Sequence, residues 1–114
     1  MTTFDDGRRA ESAAAEYLKS KMGYAIVAQN WRTRWCEIDV IAQKGRVVYF
    51  CEVKYRRTNN QGGGLDYITP KKLQQMRFAA EAWVHLSHWK GEYQLCALEV
   101  SGLDFVVTAF VEEV

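Results

Sequence analysis

No run of apolar residues in this chain reaches the length of about 20 that a bilayer-spanning helix needs. The start, "MTTFDDGRR", is polar and lacks the apolar stretch of a secretory signal. The expected setting is therefore the cytoplasm, with no membrane partner. Cysteine is scarce: Cys36, Cys51 and Cys96 are odd in number and form no CxxC pair. They read as small buried apolar residues in a reducing compartment, which excludes a zinc or disulfide framework. Positive charge is missing from residues 91–114, which hold Glu92, Glu99, Asp104, Glu112 and Glu113 but no Lys or Arg. All 15 basic residues lie in residues 1–90, against 9 acids. A basic body with an acidic end suits an anionic partner such as nucleic acid. Chance scatter over a solvated surface accounts for the same charges equally well.

The composition, 48% hydrophobic and 25% charged over 114 residues, fits one compact domain spanning 1–114. The pattern predicts a helix over 8–22, with Asp5, Asp6 and Gly7 as caps and Gly23 as the stop. Ala14, Leu18 and Met22 form its apolar stripe, and Glu11 extends that stripe. Strands are predicted over 24–29, 36–42 and 46–55, with a basic, aromatic connection "NWRTRW" after the first and a turn at Lys44-Gly45 after the second. "RRTNNQGGGLDYI", residues 56–68, has little to bury and reads as a mobile loop. Thr69 as N-cap and Pro70 as the first helical residue open a second helix, with Leu73, Met76, Ala80 and Trp83 on its apolar face. Two strands, 93–100 and 105–111, close the chain. Helix, three strands, helix, two strands indicates an α/β domain with a mixed sheet and helices packed on it.

The stretch "YFCEVKY" places Glu52 and Lys54 on one face of an otherwise apolar strand. A two-residue turn at Lys44-Gly45 sets Glu37 opposite Glu52, Asp39 opposite Phe50 and Ile41 opposite Val48. Glu37, Asp39, Glu52 and Lys54 then share a face, with Asp39 and Glu52 diagonal at roughly 7–8 Å. A turn one residue longer would flip the second strand and scatter them. Two like charges about 4 Å apart repel by roughly 4 kcal/mol at a protein surface. A divalent cation relieves such repulsion, and Mg²⁺ is typically held by one or two carboxylates, waters and phosphate oxygens. Lys54 adds an ammonium that can orient a water. This set suits metal-assisted phosphodiester hydrolysis, with Arg32, Arg34, Arg56, Arg57, Lys71 and Lys72 near enough to hold a phosphate backbone.

The motifs Glu11…Ala14…Tyr17-Leu18, Asn30-Trp31-Arg32, Glu37-Ile38-Asp39-Val40-Ile41, Glu52-Val53-Lys54 and Thr69-Pro70-Lys71-Lys72 resemble, in order, those of the YraN family of predicted endonucleases. That family is similar to archaeal Holliday junction resolvases and belongs to the PD-(D/E)xK nuclease superfamily. The resemblance implies a restriction-endonuclease-like fold, Mg²⁺ or Mn²⁺ as cofactor, and DNA ahead of RNA as partner, with a homodimer for symmetric cuts. It implies Glu11, Asp39, Glu52 and Lys54 as the catalytic set. Asp39, Glu52, the Val53 carbonyl and Glu11 would hold the metal, and Glu37 would stand behind them. Two positions depart from the family pattern: Cys36 replaces a glycine, and Ala97-Leu98-Glu99 replaces Arg-Phe-Asp.

Blander readings stand beside these. Glu11 suits a helix N-terminus through the dipole alone. Asp39 and Lys54 can be a structural ion pair. A binding module without turnover, or a partner protein with an ion-pair network in place of a site, uses the same residues.

Overall fold

The computed structural model describes residues 3–57 and 68–114. Its order is α1 (Thr3–Ser20), β1 (Ala25–Arg32), β2 (Glu37–Lys44), β3 (Val47–Arg56), α2 (Pro70–Ser87), β4 (Glu92–Ser101) and β5 (Val106–Val111). The five strands form one sheet in the order β1-β2-β3-β4-β5. β3 and β4 run parallel and the other neighbours antiparallel. The parallel pair requires a crossover, which α2 supplies. This α/β architecture, a mixed sheet between two helices, is compatible with a restriction-endonuclease-like fold.

Each helix covers one face. Ala10, Ala14, Ala15 and Leu18 of α1 pack on Val40, Ala42, Tyr49, Cys51, Cys96, Leu98 and Val100. Met76, Ala79 and Ala80 of α2 pack on Ile38, Ile41, Val48, Phe50 and Leu95. Of the predicted stripes, Ala14, Leu18, Met76 and Ala80 are buried, whereas Met22, Leu73 and Trp83 are half-buried at the margins. Thr69 caps α2 as expected: its hydroxyl accepts from the Lys72 amide.

Several boundaries differ from expectation. α1 begins at Thr3, so Asp5 and Asp6 sit in its first turn, where acids complement the helix dipole, instead of capping from outside. β1 runs on through Asn30, Trp31 and Arg32, because Arg32 pairs with Glu37 across the hairpin. Thr33 closes that hairpin by accepting from the Trp35 and Cys36 amides through its hydroxyl. The β2–β3 turn is Gly45-Arg46, with Gly45 at φ +62°, a value that suits glycine at the first position of a tight hairpin turn. The register is shifted by two residues from the expected one: Ile41 faces Phe50 and Gln43 faces Val48. A shift of two keeps the paired residues Val40–Lys44 on their expected faces, but the pairing ends before Asp39. The loop predicted over 56–68 falls largely on residues 58–67, outside the described residues.

The cysteine reading needs correcting. Cys51 and Cys96 are register partners on β3 and β4, with Cα atoms 4.6 Å apart, and are joined as a disulfide; Cys36 is free. Among the described residues, no helix is long and apolar enough to cross a membrane.

Phe50 is fully buried on the central strand, with Trp83 and Tyr93 set edge-on to its ring. Phe50→Ala is expected to cost about 3–5 kcal/mol in denaturant unfolding, as large-to-small core changes do. Thiol titration of the unreduced, denatured chain should count a single reactive cysteine, Cys36; a count of three refutes the Cys51–Cys96 bond.

Candidate functional site

β2 and β3 pair from Lys44–Val47 as far as Val40–Cys51 and then part. Beyond that point the Val53 amide donates to the Asp39 carboxylate at 2.7 Å, a side chain standing where a strand carbonyl would otherwise be. The alternation of β2 also slips here. Ile38 and Ile41 pack toward α2, whereas Val40 and Ala42 pack toward α1. Across from the slip, Asn30 of β1 takes φ +55°, a left-handed conformation that asparagine tolerates better than most residues. Asp39 is thus held, 6% exposed, at the mouth of a split between two strands.

Four acids converge on that split. Carboxylate oxygens of Glu11, Glu37 and Asp39 lie within 4.8 Å of one another. Glu11 comes from α1 and is steered by Asn30, whose side-chain amide donates to it at 2.6 Å, with Arg8 at 3.6 Å. Glu52 continues the Val48–Phe50 face toward α2, where the Lys72 ammonium holds it at 2.8 Å. Glu52 lies beside Asp39 and favours its protonated form. Burial first, then the adjacent Glu52, push the Asp39 carboxyl up to about 9; the Val53 amide works against this, and the Glu11 charge adds to it. The sequence reading sets Asp39 and Glu52 as diagonal neighbours; in the structure the two carboxyls lie beside each other where β2 and β3 part. The common face expected for Glu37, Asp39, Glu52 and Lys54 is interrupted by the slip at Ile38–Val40, while Glu11 approaches from the α1 side and Lys72 from the α2 side.

Glu37 stands among the clustered carboxylates, closer to the centre than the supporting place expected for it. Lys54 is exposed, two residues beyond Glu52, and its partner in the parallel ladder is Glu99. Val53 contributes its amide to Asp39. The basic residues divide. Arg57 and Lys71 are exposed, and the Arg34 guanidinium lies over the Trp35 ring at 5.0 Å. Arg32 pairs with Glu37 at 3.4 Å on the surface. Arg56 is a different case: its Nε bonds Glu99 at 2.7 Å, and both side chains are largely buried. It is thereby turned from a solvent-facing phosphate contact into a structural ion pair. Sequence reasoning gave Lys72 to a phosphate backbone and did not find its contact with Glu52. Cys36, half-buried beside the site, keeps its thiol proton, because burial raises its pKa more than Lys72 lowers it.

The donor set fits a small hard dication. Oxygens around an octahedral ion with bonds of about 2.1 Å stand roughly 3–4 Å apart. Carboxylates already within 4.8 Å need only a small contraction to reach that spacing.

The pH dependence follows from the raised Asp39 pKa. An unfolded aspartate titrates near 3.9, so the folded chain holds this proton more tightly. The contribution of Asp39 to stability is full below about pH 4 and is lost as pH rises toward about 9. In chelator, wild-type protein should lose melting temperature across that window more steeply than Asp39→Asn, whose amide has no proton to give up. Parallel curves would refute the raised Asp39 pKa.

The sequence matches the family described as "Uncharacterised protein family UPF0102" over residues 10–108. A UPF0102 protein of Leifsonia xyli subsp. xyli is 44% identical over 77 residues, covering 68% of this chain and 64% of that protein. One from Chlorobium chlorochromatii is 38% identical over 103 residues, covering 90% of this chain and 77% of the relative. One from Cytophaga hutchinsonii is 32% identical over 107 residues, covering 94% of both. The match thus spans less than two thirds of the Leifsonia relative and nearly the whole of the Cytophaga one. The motif order read along the chain and the extent of these matches agree: the chain belongs to the UPF0102 family.

Proposed function

We propose that this chain is a metal-dependent endonuclease that hydrolyses phosphodiester bonds in DNA, branched DNA included, as one domain over 1–114 acting in the cytoplasm. The observation that carries the reading is the buried Asp39 carboxyl beside Glu52, with Glu11 and Glu37 converging on it. Burying several acids together is costly unless something offsets their charge. The residues fit Mg²⁺ or Mn²⁺, held by Asp39 with Glu11, Glu37 and Glu52 around it; when bound, such an ion polarises the phosphoryl group and lowers the pKa of a bound water.

The remaining work belongs to the chain. The Val53 amide fixes the Asp39 carboxylate, and Asn30 fixes Glu11. Asp39 must give up its proton for a cation to bind, so metal affinity rises with pH. Lys54, exposed beside the split, orients the attacking water and offsets charge on the phosphate. Arg57 and Lys71 hold the backbone on either side. A homodimer suits a substrate that is cut symmetrically on two strands.

A second reading is favoured by the Lys72–Glu52 contact, since an ammonium already neutralises one acid. On that reading the chain binds nucleic acid on a nuclease fold without turnover. Cleavage of branched, flapped and single-stranded DNA and of RNA, with Mg²⁺ or Mn²⁺, separates the two. The nuclease should cut DNA, and Lys54→Met should slow it by on the order of 100-fold, the size of a lost general acid–base or water-orienting group. Products from Asp39→Asn at the wild-type rate would sink the enzyme reading. DNA binding without any cutting would establish the second. In thermal melts, Mn²⁺ should raise the wild-type midpoint but not that of Asp39→Asn; no shift in either leaves only an ion-pair network.

A further inference from the structure

Lys72 occupies a place that helix physics disfavours. It lies in the first turn of α2, which carries no acid and where the dipole repels cations. Its backbone serves the cap, the amide donating to the Thr69 hydroxyl at 3.1 Å. Its side chain turns instead to Glu52, with Nζ 2.8 Å from the carboxylate. Burial alone would lower the Lys72 pKa, but the hydrogen bond and charge of Glu52 reverse the sign and leave it raised. The group is therefore an ammonium. It is also not sealed in: the Lys72 side chain keeps 28% of its surface exposed against 15% for Glu52, on a flexible four-carbon stem.

We propose that Lys72 couples dication binding to phosphate binding: it neutralises Glu52 while the carboxylates hold no dication, and turns to a substrate phosphate when they do. This rests on the metal-dependent reading above. The geometry is the reason. With no dication bound, Glu52 holds the Lys72 ammonium at 2.8 Å. A dication among the same carboxylates competes with that ammonium for Glu52. The ammonium then faces a cation where it had faced an anion. It is repelled from Glu52, and its stem allows it to swing outward. Lys71, its exposed neighbour at the same helix end, marks the surface toward which it moves. A phosphate there gains a counter-charge only once the metal has freed it. By linkage, phosphate binding must favour metal binding by the same factor.

The two halves of this scheme move in opposite directions when Lys72 loses its charge. Mn²⁺ binding is measured by calorimetry without nucleic acid. Binding of a branched DNA is measured with Ca²⁺ present and again with chelator, over a range of salt. Lys72→Met keeps the stem, and it should bind Mn²⁺ at least about fivefold tighter, because the competing ammonium is gone. The same variant should bind DNA more weakly in Ca²⁺, with its salt slope reduced by about one. In chelator its DNA affinity should equal that of wild type, since Lys72 is then occupied by Glu52. Lys71→Met should leave Mn²⁺ binding unchanged and weaken DNA in both conditions. Lys72→Met that binds Mn²⁺ no better than wild type overturns the coupling while leaving the metal site intact. Wild-type protein that binds no Mn²⁺ overturns the nuclease reading itself.

Discussion

The hydrogen bond from the Val53 amide to the Asp39 carboxylate sets the geometry of the whole site. A buried backbone amide must find an acceptor. Within a continuous ladder that acceptor would be a carbonyl of β2. Here a side chain supplies it, so β2 and β3 can separate without leaving the amide unsatisfied. The same carboxylate that permits the separation becomes the centre of the acid cluster. One bond thus ends the pairing and anchors the reactive group.

Around that centre, each negative charge has a removable partner. Burial and the nearby Glu52 favour the protonated form of Asp39, and Lys72 holds Glu52. Arg8 stands 3.6 Å from Glu11 and Arg32 3.4 Å from Glu37, each pair long and with its arginine side chain exposed. The contrast with Arg56 and Glu99 is informative. That pair is short and largely buried, and Thr108 adds its hydroxyl to Glu99. Removing one partner there strands a buried charge. Compensation that is weak or exchangeable at the acid cluster, and locked on the neighbouring β3–β4 pair, separates a group of charges built to be re-ionised from one built to stay fixed.

Much of this was legible in the chain. The apolar stripes of both helices, the Thr69-Pro70 start and the mixed sheet follow from periodicity and capping, which are local. That Asp39 and Glu52 come from adjacent strands of one hairpin was also legible, since the turn between them is local. Period-two patterning cannot distinguish a register from one shifted by two, so the turn was placed one residue early. The slip at Ile38–Val40 was hidden, because it arises from the departure of β3 and from Asn30 across the hairpin, not from the residues of β2 alone. The disulfide was hidden for a similar reason. Cys51 and Cys96 are 45 residues apart, and a crossover of that length does not announce which residues its two strands will pair. Long side chains were the least legible: Arg56 and Lys72 look alike as surface cations, and only coordinates show that each found an acid.

The site also needs the complete fold. The hairpin of β2 and β3 supplies Asp39 and Glu52, but the groups that balance them come from further off. Glu11 arrives on α1 from one side of the sheet, aimed by Asn30 of β1. Lys72 arrives on α2 from the other side, and α2 is held there by the β3-to-β4 crossover. The two helices pack on separate apolar clusters. A loosened core on either face would therefore move one charged group while leaving the other in place, and the balance at Asp39 would fail before the sheet did. Coupling the charge of the site to two independent packing interfaces ties its ionisation state to the integrity of the domain.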